Sequence, residues 1–169
     1  MKTCLVGCGG IAAVHGSVLT SDIDTEFVAA ADIKPKKAQT YAENFHTKPY
    51  PSLESMLEAE KPDVLHICTP HYLHVPMAIY SLERNINVFM EKPPAISFDQ
   101  LEELKKAAAK SETQLGFCYQ NRYNASIRAA KDLIDSGKAG KVLGARAFVT
   151  WCRGAAYYTE SGWRGSLKT

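Results

Sequence analysis

The chain has 169 residues, enough for one compact domain but short for a two-domain enzyme. Its 20 basic and 18 acidic residues are spread along the sequence without a basic stripe. No apolar run is long enough for a membrane span or a signal peptide, and the five cysteines form no C-x-x-C pair. We therefore expect a cytoplasmic protein with reduced cysteines that binds neither nucleic acid nor a membrane.

Short apolar runs alternate with segments of helical periodicity along the chain. The first run, TCLVGCGG, ends in glycines and precedes an apolar stripe from Ile11 to Leu19 at helical spacing. The sequence then predicts, in order, the strand FVAAADI, a helix over 35–45, a short segment near Tyr50, a helix from Leu53, the strand DVLHICTP, a helix over 74–83, the strand INVFME, a long helix after Ser97, the strand QLGFCYQ and a helix from Ala125. Because parallel strands need crossover connections, this alternation predicts an α/β fold with a doubly wound parallel sheet.

The helix after the fifth strand has the clearest predicted start. Ser97 is followed three residues later by Gln100, which together form a capping box. Leu101, Leu104 and Ala108 then supply the apolar face at helical spacing. We therefore expect this helix to begin directly after Ser97.

The turn between the first strand and the first helix carries a G-x-G-x-x-A motif formed by Gly7, Gly9 and Ala12. In a dinucleotide-binding turn the first glycine permits the tight turn, the second lets a pyrophosphate approach the backbone, and the small third residue lets helix and strand pack closely. We therefore predict a Rossmann-type nucleotide-binding turn that also includes Gly10 and Ile11. The alternative is a glycine turn that is merely close-packed.

Asp32 ends the second predicted strand, twenty residues after Ala12. A dinucleotide site places there the acid that accepts hydrogen bonds from the adenosine ribose, and its charge would repel the 2′-phosphate of NADP. We therefore expect NAD as cofactor in preference to NADP. Lysines at 34, 36 and 37 would soften that discrimination. The alternative is that Asp32 only caps the following helix.

Glu91 and Lys92 follow the fifth predicted strand and precede two prolines. In an open parallel sheet, ligands bind outside the carboxyl ends of the strands. A lysine there can hydrogen-bond a substrate hydroxyl as hydride leaves its carbon, so Lys92 is our candidate catalytic residue, with Glu91 orienting it or binding ribose hydroxyls. The Lys92–Pro93 bond is a candidate cis peptide. The alternative is an exposed Glu–Lys pair at a loop edge.

The segments GCGGIA, AADIK, CTPHYLH, MEKPPA and GFCYQNRYN occur in this order, and with them the chain resembles the Gfo/Idh/MocA family, the glucose-fructose oxidoreductase and inositol dehydrogenase group. The resemblance covers essentially the whole chain, and its E-K-P signature is specific, whereas the glycine turn is shared by many folds. It implies an NAD(P)-dependent oxidoreductase acting on a sugar, a polyol or a related compound. It also implies a nucleotide domain followed by a domain with a large, mostly antiparallel sheet.

The resemblance implies roles for particular positions. Lys92 matches the lysine near the reacting centre, with Glu91 beside it. The remaining matches are expected to contact the cofactor: Thr69, Pro70, His71 and His74 after the fourth strand, Asn121 and Arg122 after the sixth, and Trp163 and Arg164 in the GWRG segment. The alternatives are a solvated Arg122 and a metal pair of His71 and His74, which we disfavour because no third ligand has suitable spacing. His15 lies on the apolar helix stripe, so we interpret it as a packed histidine.

The family resemblance also predicts how the chain is organised. We expect a dinucleotide-binding domain over residues 1–122, and over 123–169 a linking helix and the start of a truncated α+β domain. The run KVLGARAFVTWC, residues 141–152, alternates apolar and other residues and predicts the first strand of that domain's sheet. Without partner strands it would be an exposed edge, so we expect residues after Val142 to be disordered, exchanged with another copy, or pinned against the nucleotide domain.

Family members run to roughly twice this length, and the acid and histidine that act beside the E-K-P lysine are expected beyond Thr169. We therefore expect this chain alone to bind NAD with little or no turnover, and a homo-oligomer is an open alternative. Three other functions stay open: a regulatory or scaffold protein that binds NAD without turnover, a redox-neutral enzyme like the family's NAD-dependent glycosidases, and a methyltransferase. The E-K-P run argues against the last.

Overall fold

The computed structural model of the protein describes residues 1–159 and 162–165. The chain divides into two compact units, Met1–Cys118 and Tyr119–Thr169. Within the described residues, no helix is long and apolar enough to cross a membrane.

The first unit alternates strands and helices as the sequence predicts. Its elements are β1 (Lys2–Val6), α1 (Gly10–Ser21), β2 (Glu26–Ala31), α2 (Pro35–Phe45), β3 (Lys48–Tyr50), α3 (Leu53–Glu60), β4 (Val64–Ile67), a short 3-10 helix (His71–Leu73), α4 (His74–Leu82), β5 (Asn87–Glu91), α5 (Phe98–Lys110) and β6 (Leu115–Cys118). The helix α5 begins directly after Ser97, whose Oγ accepts a hydrogen bond of 3.2 Å from the N–H of Gln100. The predicted cap is therefore present, although the Gln100 side chain bonds back to the N–H of Ile96, one residue before the cap.

The six strands form one parallel sheet in the order β3-β2-β1-β4-β5-β6. The chain runs outward from β1 in one direction to β3, then returns to the other side of β1 and runs outward again to β6. A crevice opens at such a reversal, outside the carboxyl ends of β1 and β4. The predicted doubly wound Rossmann-type fold is thus confirmed, and it sets where ligands bind.

Both faces of the sheet are buried, as expected when helices cover a parallel sheet on each side. On β1, Cys4 and Val6 pack into one apolar cluster that includes Met90 of β5. The intervening Leu5 packs into a second cluster with Tyr41 of α2. Successive side chains of a strand point to opposite faces, so β1 joins the two halves of the core.

The second unit contains a 3-10 helix (Gln120–Tyr123), α6 (Ala125–Asp135) and α7 (Ala155–Thr159). The helix predicted from Ala125 is therefore confirmed. The strand predicted over residues 141–152 is wrong, because residues 142–154 adopt no regular structure. Its apolar side chains are exposed, Leu143 to 89% and Trp151 to 72%. Alternation gives a strand only where a neighbouring strand supplies hydrogen bonds, and no described residue pairs with this segment.

Candidate functional site

The glycine turn closes against the backbone at the end of β4. Gly7 adopts a φ of +92°, a conformation that L side chains rarely take, and its N–H donates to the carbonyl of Ala31 at 2.8 Å. A Cβ at this position would lie 2.8 Å from backbone atoms of Cys68 and Thr69. Only glycine fits here, and the turn consequently brings β1, β2 and β4 together at their carboxyl ends.

The next two glycines, by contrast, face open space. A Cβ added at Gly9 or Gly10 would meet no atom within 4 Å. Gly9 caps α1 without any side-chain hydrogen bond, and the first turn of the helix contains no acidic residue. The N–H groups and positive dipole end of α1 are thus accessible to an anion, as binding a pyrophosphate requires.

The first turns of α1 pack closely against α2. Ala12 is fully buried, and its carbonyl accepts a 2.7 Å hydrogen bond from the hydroxyl of Tyr41 on α2. One turn later, a Cβ on Gly16 would lie 2.5 Å from the Tyr41 hydroxyl oxygen and 2.7 Å from the ring of Phe45. The close approach of α1 and α2 therefore depends on Gly16, a residue that the motif analysis does not single out.

Asp32 lies beside the glycine turn, half-buried after β2. Its Oδ2 accepts a 3.0 Å hydrogen bond from the N–H of Cys8, and its Oδ1 accepts one of 2.8 Å from the N–H of Lys34. The N-cap of α2 is Lys34 and not Asp32, so the carboxylate ties two loops together instead of serving as the helix cap. A cavity of about 580 Å³ opens here, between the glycine turn and the lysines at positions 34, 36 and 37.

The loop after β4 contains Thr69, Pro70 and His71, all half-buried, and then His74, which is fully buried. The Nε2 of His74 lies 3.0 Å from the carbonyl oxygen of Thr69, and its Nδ1 lies 2.8 Å from that of Pro93. The cofactor contact predicted for His74 does not fit this burial. His74 instead joins the loop after β4 to the loop after β5, and with both nitrogens engaged it is not arranged as a metal ligand beside His71.

Glu91 and Lys92 point in different directions. Lys92 is exposed at the carboxyl end of β5, and the Lys92–Pro93 peptide is cis. Glu91 is only 6% exposed, and its Oε2 accepts a 3.2 Å hydrogen bond from the N–H of Lys92. Both carboxylate oxygens are held by the protein, so this geometry favours a positioning role for Glu91 over the direct ribose contact expected from the sequence.

The other oxygen of Glu91 faces a pair of histidines, of which His15 is buried and His66 is half-buried. Oε1 lies 3.1 Å from Nε2 of His15, whose Nδ1 lies 2.9 Å from Nδ1 of His66 on β4. Burial raises the pKa of the Glu91 carboxyl, but hydrogen bonds from His15 and from the thiol of Cys118 outweigh it and lower the pKa overall. Burial, with a smaller contribution from His15, lowers the pKa of His66 to about 4, so His66 is neutral at neutral pH.

Sequence reasoning identifies Glu91 but misses its partners. His15 is indeed packed, as expected, yet its ring is hydrogen-bonded within a polar cluster, and neither His66 nor Cys118 was a candidate. The only available signal was a polar residue in each of two apolar runs, DVLHICTP and QLGFCYQ. Such a residue in a buried strand needs a partner, but the sequence does not say which.

Four candidates belong to the second unit. Asn121 and Arg122 lie exposed in its 3-10 helix, and the guanidinium of Arg122 is 6.0 Å from the ring of Tyr119. Trp163 is half-buried, and the Arg164 guanidinium lies 5.6 Å from its ring. Their expected contacts with the cofactor stay predictions.

The parallel sheet with its order reversed at β1, the open glycine turn and the carboxylate after β2 define a dinucleotide-binding protein. Residues 1–119 match the model of an oxidoreductase family with an NAD-binding Rossmann fold, and the chain belongs to this family, Gfo/Idh/MocA. The predicted family and the NAD cofactor are thus confirmed.

The chain is similar to several characterised proteins. It is 28% identical over 165 residues to D-glucoside 3-dehydrogenase of Escherichia coli, covering 96% of this chain and 46% of the relative. It is 30% identical over 146 residues to 2,7-anhydro-N-acetylneuraminate hydratase of Mediterraneibacter gnavus. That match covers 85% of this chain and 38% of the relative. A crystal structure of the WlbA dehydrogenase from Bordetella pertussis, in complex with NADH and UDP-GlcNAcA, superposes with a TM-score of 0.90 at 30% identity. The superposition covers 98% of this chain and 52% of that chain. The chain thus spans less than half the length of these two curated relatives.

Proposed function

We propose that this chain is the cofactor-binding part of an NAD-dependent dehydrogenase that oxidises a secondary alcohol carbon of a sugar, a polyol or a related compound. The observation that carries the proposal is the common position of the glycine turn, Asp32 and Lys92 at the carboxyl edge of the sheet. The dehydrogenases among its relatives support the substrate class.

The residues of the site fit a dinucleotide. The open space at Gly9 and Gly10 and the uncapped start of α1 suit the pyrophosphate, and Asp32 stands where the adenosine ribose is bound. The half-buried loop residues Thr69 and Pro70 lie at the same edge and suit the neighbouring part of the cofactor. When bound, NAD supplies the hydride-accepting carbon of its nicotinamide ring.

Lys92 is the group we expect to act on the substrate. Its ammonium is exposed beyond the end of β5, whereas its backbone is fixed by the Glu91 carboxylate. A lysine held in this way hydrogen-bonds the substrate hydroxyl and stabilises the negative charge that develops on oxygen as hydride leaves. We propose that the remaining acid–base groups come from a second domain, and we expect this chain alone to bind the cofactor with little or no turnover.

We also propose that the protein has two domains. Residues 1–122 would bind the nucleotide, and residues 123–169 would lead into the second domain through α6. We further propose a cytoplasmic location, and assembly into a homo-oligomer is an alternative to a monomer.

The test is a titration of the purified chain with NADH, followed by energy transfer from Trp151 and Trp163 to the nicotinamide, with NADPH as competitor. We expect saturable binding that NADPH displaces poorly. The variant Gly9→Val should abolish binding, because its side chain would occupy the space meant for the pyrophosphate. Gly144→Val is the matched control, since a Cβ there also meets no atom within 4 Å. A folded chain that binds neither nucleotide, or equal binding by both variants, would refute the proposal.

A redox-neutral reaction is the second candidate, favoured by the similarity to a hydratase. Such an enzyme would use the same NAD site without net change in the cofactor. The two candidates differ in one measurement on the complete protein: with a suitable sugar, a dehydrogenase accumulates NADH, whereas a redox-neutral enzyme converts its substrate at constant NADH. Binding of NADH with no conversion of any sugar would favour a regulatory protein.

A further inference from the structure

Three side chains of types that can bind metals, from three different elements, come together next to Lys92. They are His15 of α1, Glu91 at the end of β5 and Cys118 at the end of β6, and Nε2, Oε1 and Sγ all lie within 4.8 Å of one another. His15 is 7% exposed and Glu91 6% exposed, whereas Cys118 is half-buried. Two of the three residues are therefore buried, and the third is partly exposed to solvent.

We infer that His15, Glu91 and Cys118 form a binding site for one divalent transition-metal ion, preferably Zn²⁺. Imidazole, carboxylate and thiolate are the three donor types that zinc takes in proteins, and the thiolate disfavours Mg²⁺ and Ca²⁺. Zinc–ligand bonds of about 2.0–2.3 Å at tetrahedral angles separate ligand atoms by roughly 3.3–3.7 Å. The 3.1 Å between Nε2 and Oε1 is within a few tenths of an ångström of that value.

His66 supplies the outer contact that metal-bound histidines generally have. Its Nδ1 lies 2.9 Å from Nδ1 of His15, on the side of the ring away from Glu91. When His15 donates its Nδ1–H to His66, its Nε2 lone pair is free for a metal. When His66 donates instead, His15 carries its proton on Nε2 and donates it to Glu91. The pair therefore satisfies its hydrogen bonds both with a metal and without one.

The charge and proton balance also favour a cation. Without a metal, the cluster contains a buried carboxylate whose partners include the thiol of Cys118. Binding M²⁺ forms a metal–sulfur bond and breaks the S–H bond, and the proton leaves to solvent. The two histidines keep their total number of protons. A doubly charged cation with one carboxylate and one thiolate makes a site of zero net charge, which suits burial.

The fourth tetrahedral position is left for water, because among the described residues only three protein ligands converge. Oε2 of Glu91 continues to accept the N–H of Lys92, so the metal need not displace the E-K-P turn. The inference concerns a different ligand from the cofactor and holds whether or not the proposed dehydrogenase function is correct.

The test is a titration of the reduced full chain with Co²⁺, which reports a thiolate ligand through a near-ultraviolet charge-transfer band and tetrahedral geometry through intense visible bands. We expect saturation at about one Co²⁺ per chain, release of about one proton per metal in weakly buffered solution, and loss of the bands when Zn²⁺ is added.

Variants separate this site from adventitious binding. Cys118→Ser and His15→Gln should abolish the charge-transfer band, whereas Cys152→Ser and His46→Asn, at an exposed thiol and an exposed imidazole, should retain it. Circular dichroism verifies that each variant is folded, and if His15→Gln does not fold, Cys118→Ser alone decides. Absence of the band in the folded chain, or its survival in Cys118→Ser, would overturn the inference. The NADH titration is a separate readout, so either proposal can fail alone.

Discussion

The carboxylate of Asp32 accepts a 3.0 Å hydrogen bond from the backbone N–H of Cys8, the residue between the first two glycines of the turn. The acid expected to bind ribose therefore also fixes the loop expected to bind pyrophosphate. Its other oxygen holds the N–H of Lys34. One side chain thus holds the shape of the turn, and its negative charge is the one that we propose discriminates between NAD and NADP.

These two roles of Asp32 can be separated with Asp32→Asn. An amide keeps one acceptor but loses the charge and presents N–H groups to a loop that needs an acceptor. We expect NADH affinity to fall about tenfold from the disturbed loop, and NADPH affinity to fall less or to rise, because repulsion of the 2′-phosphate disappears and nearby lysines attract it. The ratio of the two dissociation constants, measured by competitive titration, is the decisive quantity.

Asp132→Asn, an exposed acid on α6, is the matched control for Asp32→Asn and should leave both constants unchanged. A ratio unchanged in Asp32→Asn, with both affinities reduced equally, would show that Asp32 only shapes the loop and that the lysines or other groups set nucleotide preference.

Gly7→Ala should destabilise the protein strongly. The substitution combines a φ of +92° with a Cβ 2.8 Å from the backbone of Cys68 and Thr69, and backbone atoms cannot rotate away. We expect a loss of about 2–4 kcal/mol in the free energy of unfolding, measured by urea denaturation. Gly9→Ala has a negative φ and open space around the new methyl, so its stability should change by less than about 0.5 kcal/mol. Equal stabilities for the two variants would contradict the geometry.

The elements that the sequence predicts well are those with local signals. The helix expected over residues 35–45 has those bounds, and the cap at Ser97 is where the capping box predicts it. Proline at a first helical position and a serine cap act within one turn of the chain, so the sequence alone contains the necessary information. The run at 141–152 failed as a strand because strand hydrogen bonds come from other segments.

The candidate site divides in the same way. The sequence identifies Gly7 because the tight turn requires a backbone conformation at that residue that only glycine adopts readily. His15 and Glu91 are separated by 76 residues, and their contact depends on the sheet order, which places β4 and then β5 beside β1, the strand that leads into α1. The helical periodicity correctly predicts that His15 is buried, but it contains no information about which residues His15 contacts. The polar cluster of His15, His66, Glu91 and Cys118 therefore follows from the tertiary fold and from no local pattern in the sequence.

Gly16→Ala should be destabilising although alanine is the better helix former. Its Cβ would lie 2.5 Å from the Tyr41 hydroxyl and 2.7 Å from the Phe45 ring, so these two packed rings, or the helices α1 and α2 themselves, would have to move apart. We expect a loss of about 1–3 kcal/mol in unfolding free energy. Tyr41→Phe alone should cost about 1 kcal/mol through its lost hydrogen bond to Ala12. The double variant should lose less than the sum, because the hydroxyl clash is gone, and strict additivity in denaturation experiments would argue against this contact.

Glu60 forms an ion cluster at the opposite end of the first unit from the nucleotide turn. Its carboxylate, 6% exposed, lies 3.1 Å from the ammonium of Lys2 and 3.0 Å from that of Lys48, and it accepts a 2.6 Å hydrogen bond from the Tyr50 hydroxyl. The Tyr50 bond first, and then Lys48, lower the pKa of Glu60 from 4.5 to about 2. The same bond raises the pKa of Tyr50 to about 12.

Because the folded-state pKa of Glu60 lies below the unfolded value, its ionised form stabilises the protein above about pH 4.5, and that stabilisation is lost as the pH falls toward 2. We expect Glu60 to contribute about 1–3 kcal/mol to the decrease in unfolding free energy over that range. Urea denaturation at several pH values should show a shallower decrease for Glu60→Gln, whereas Glu58→Gln, an exposed acid on the same helix, should behave like the unsubstituted protein. Parallel pH profiles for Glu60→Gln and the unsubstituted chain would mean that the carboxylate gains nothing from its three partners, and that the cluster is a solvated surface pairing.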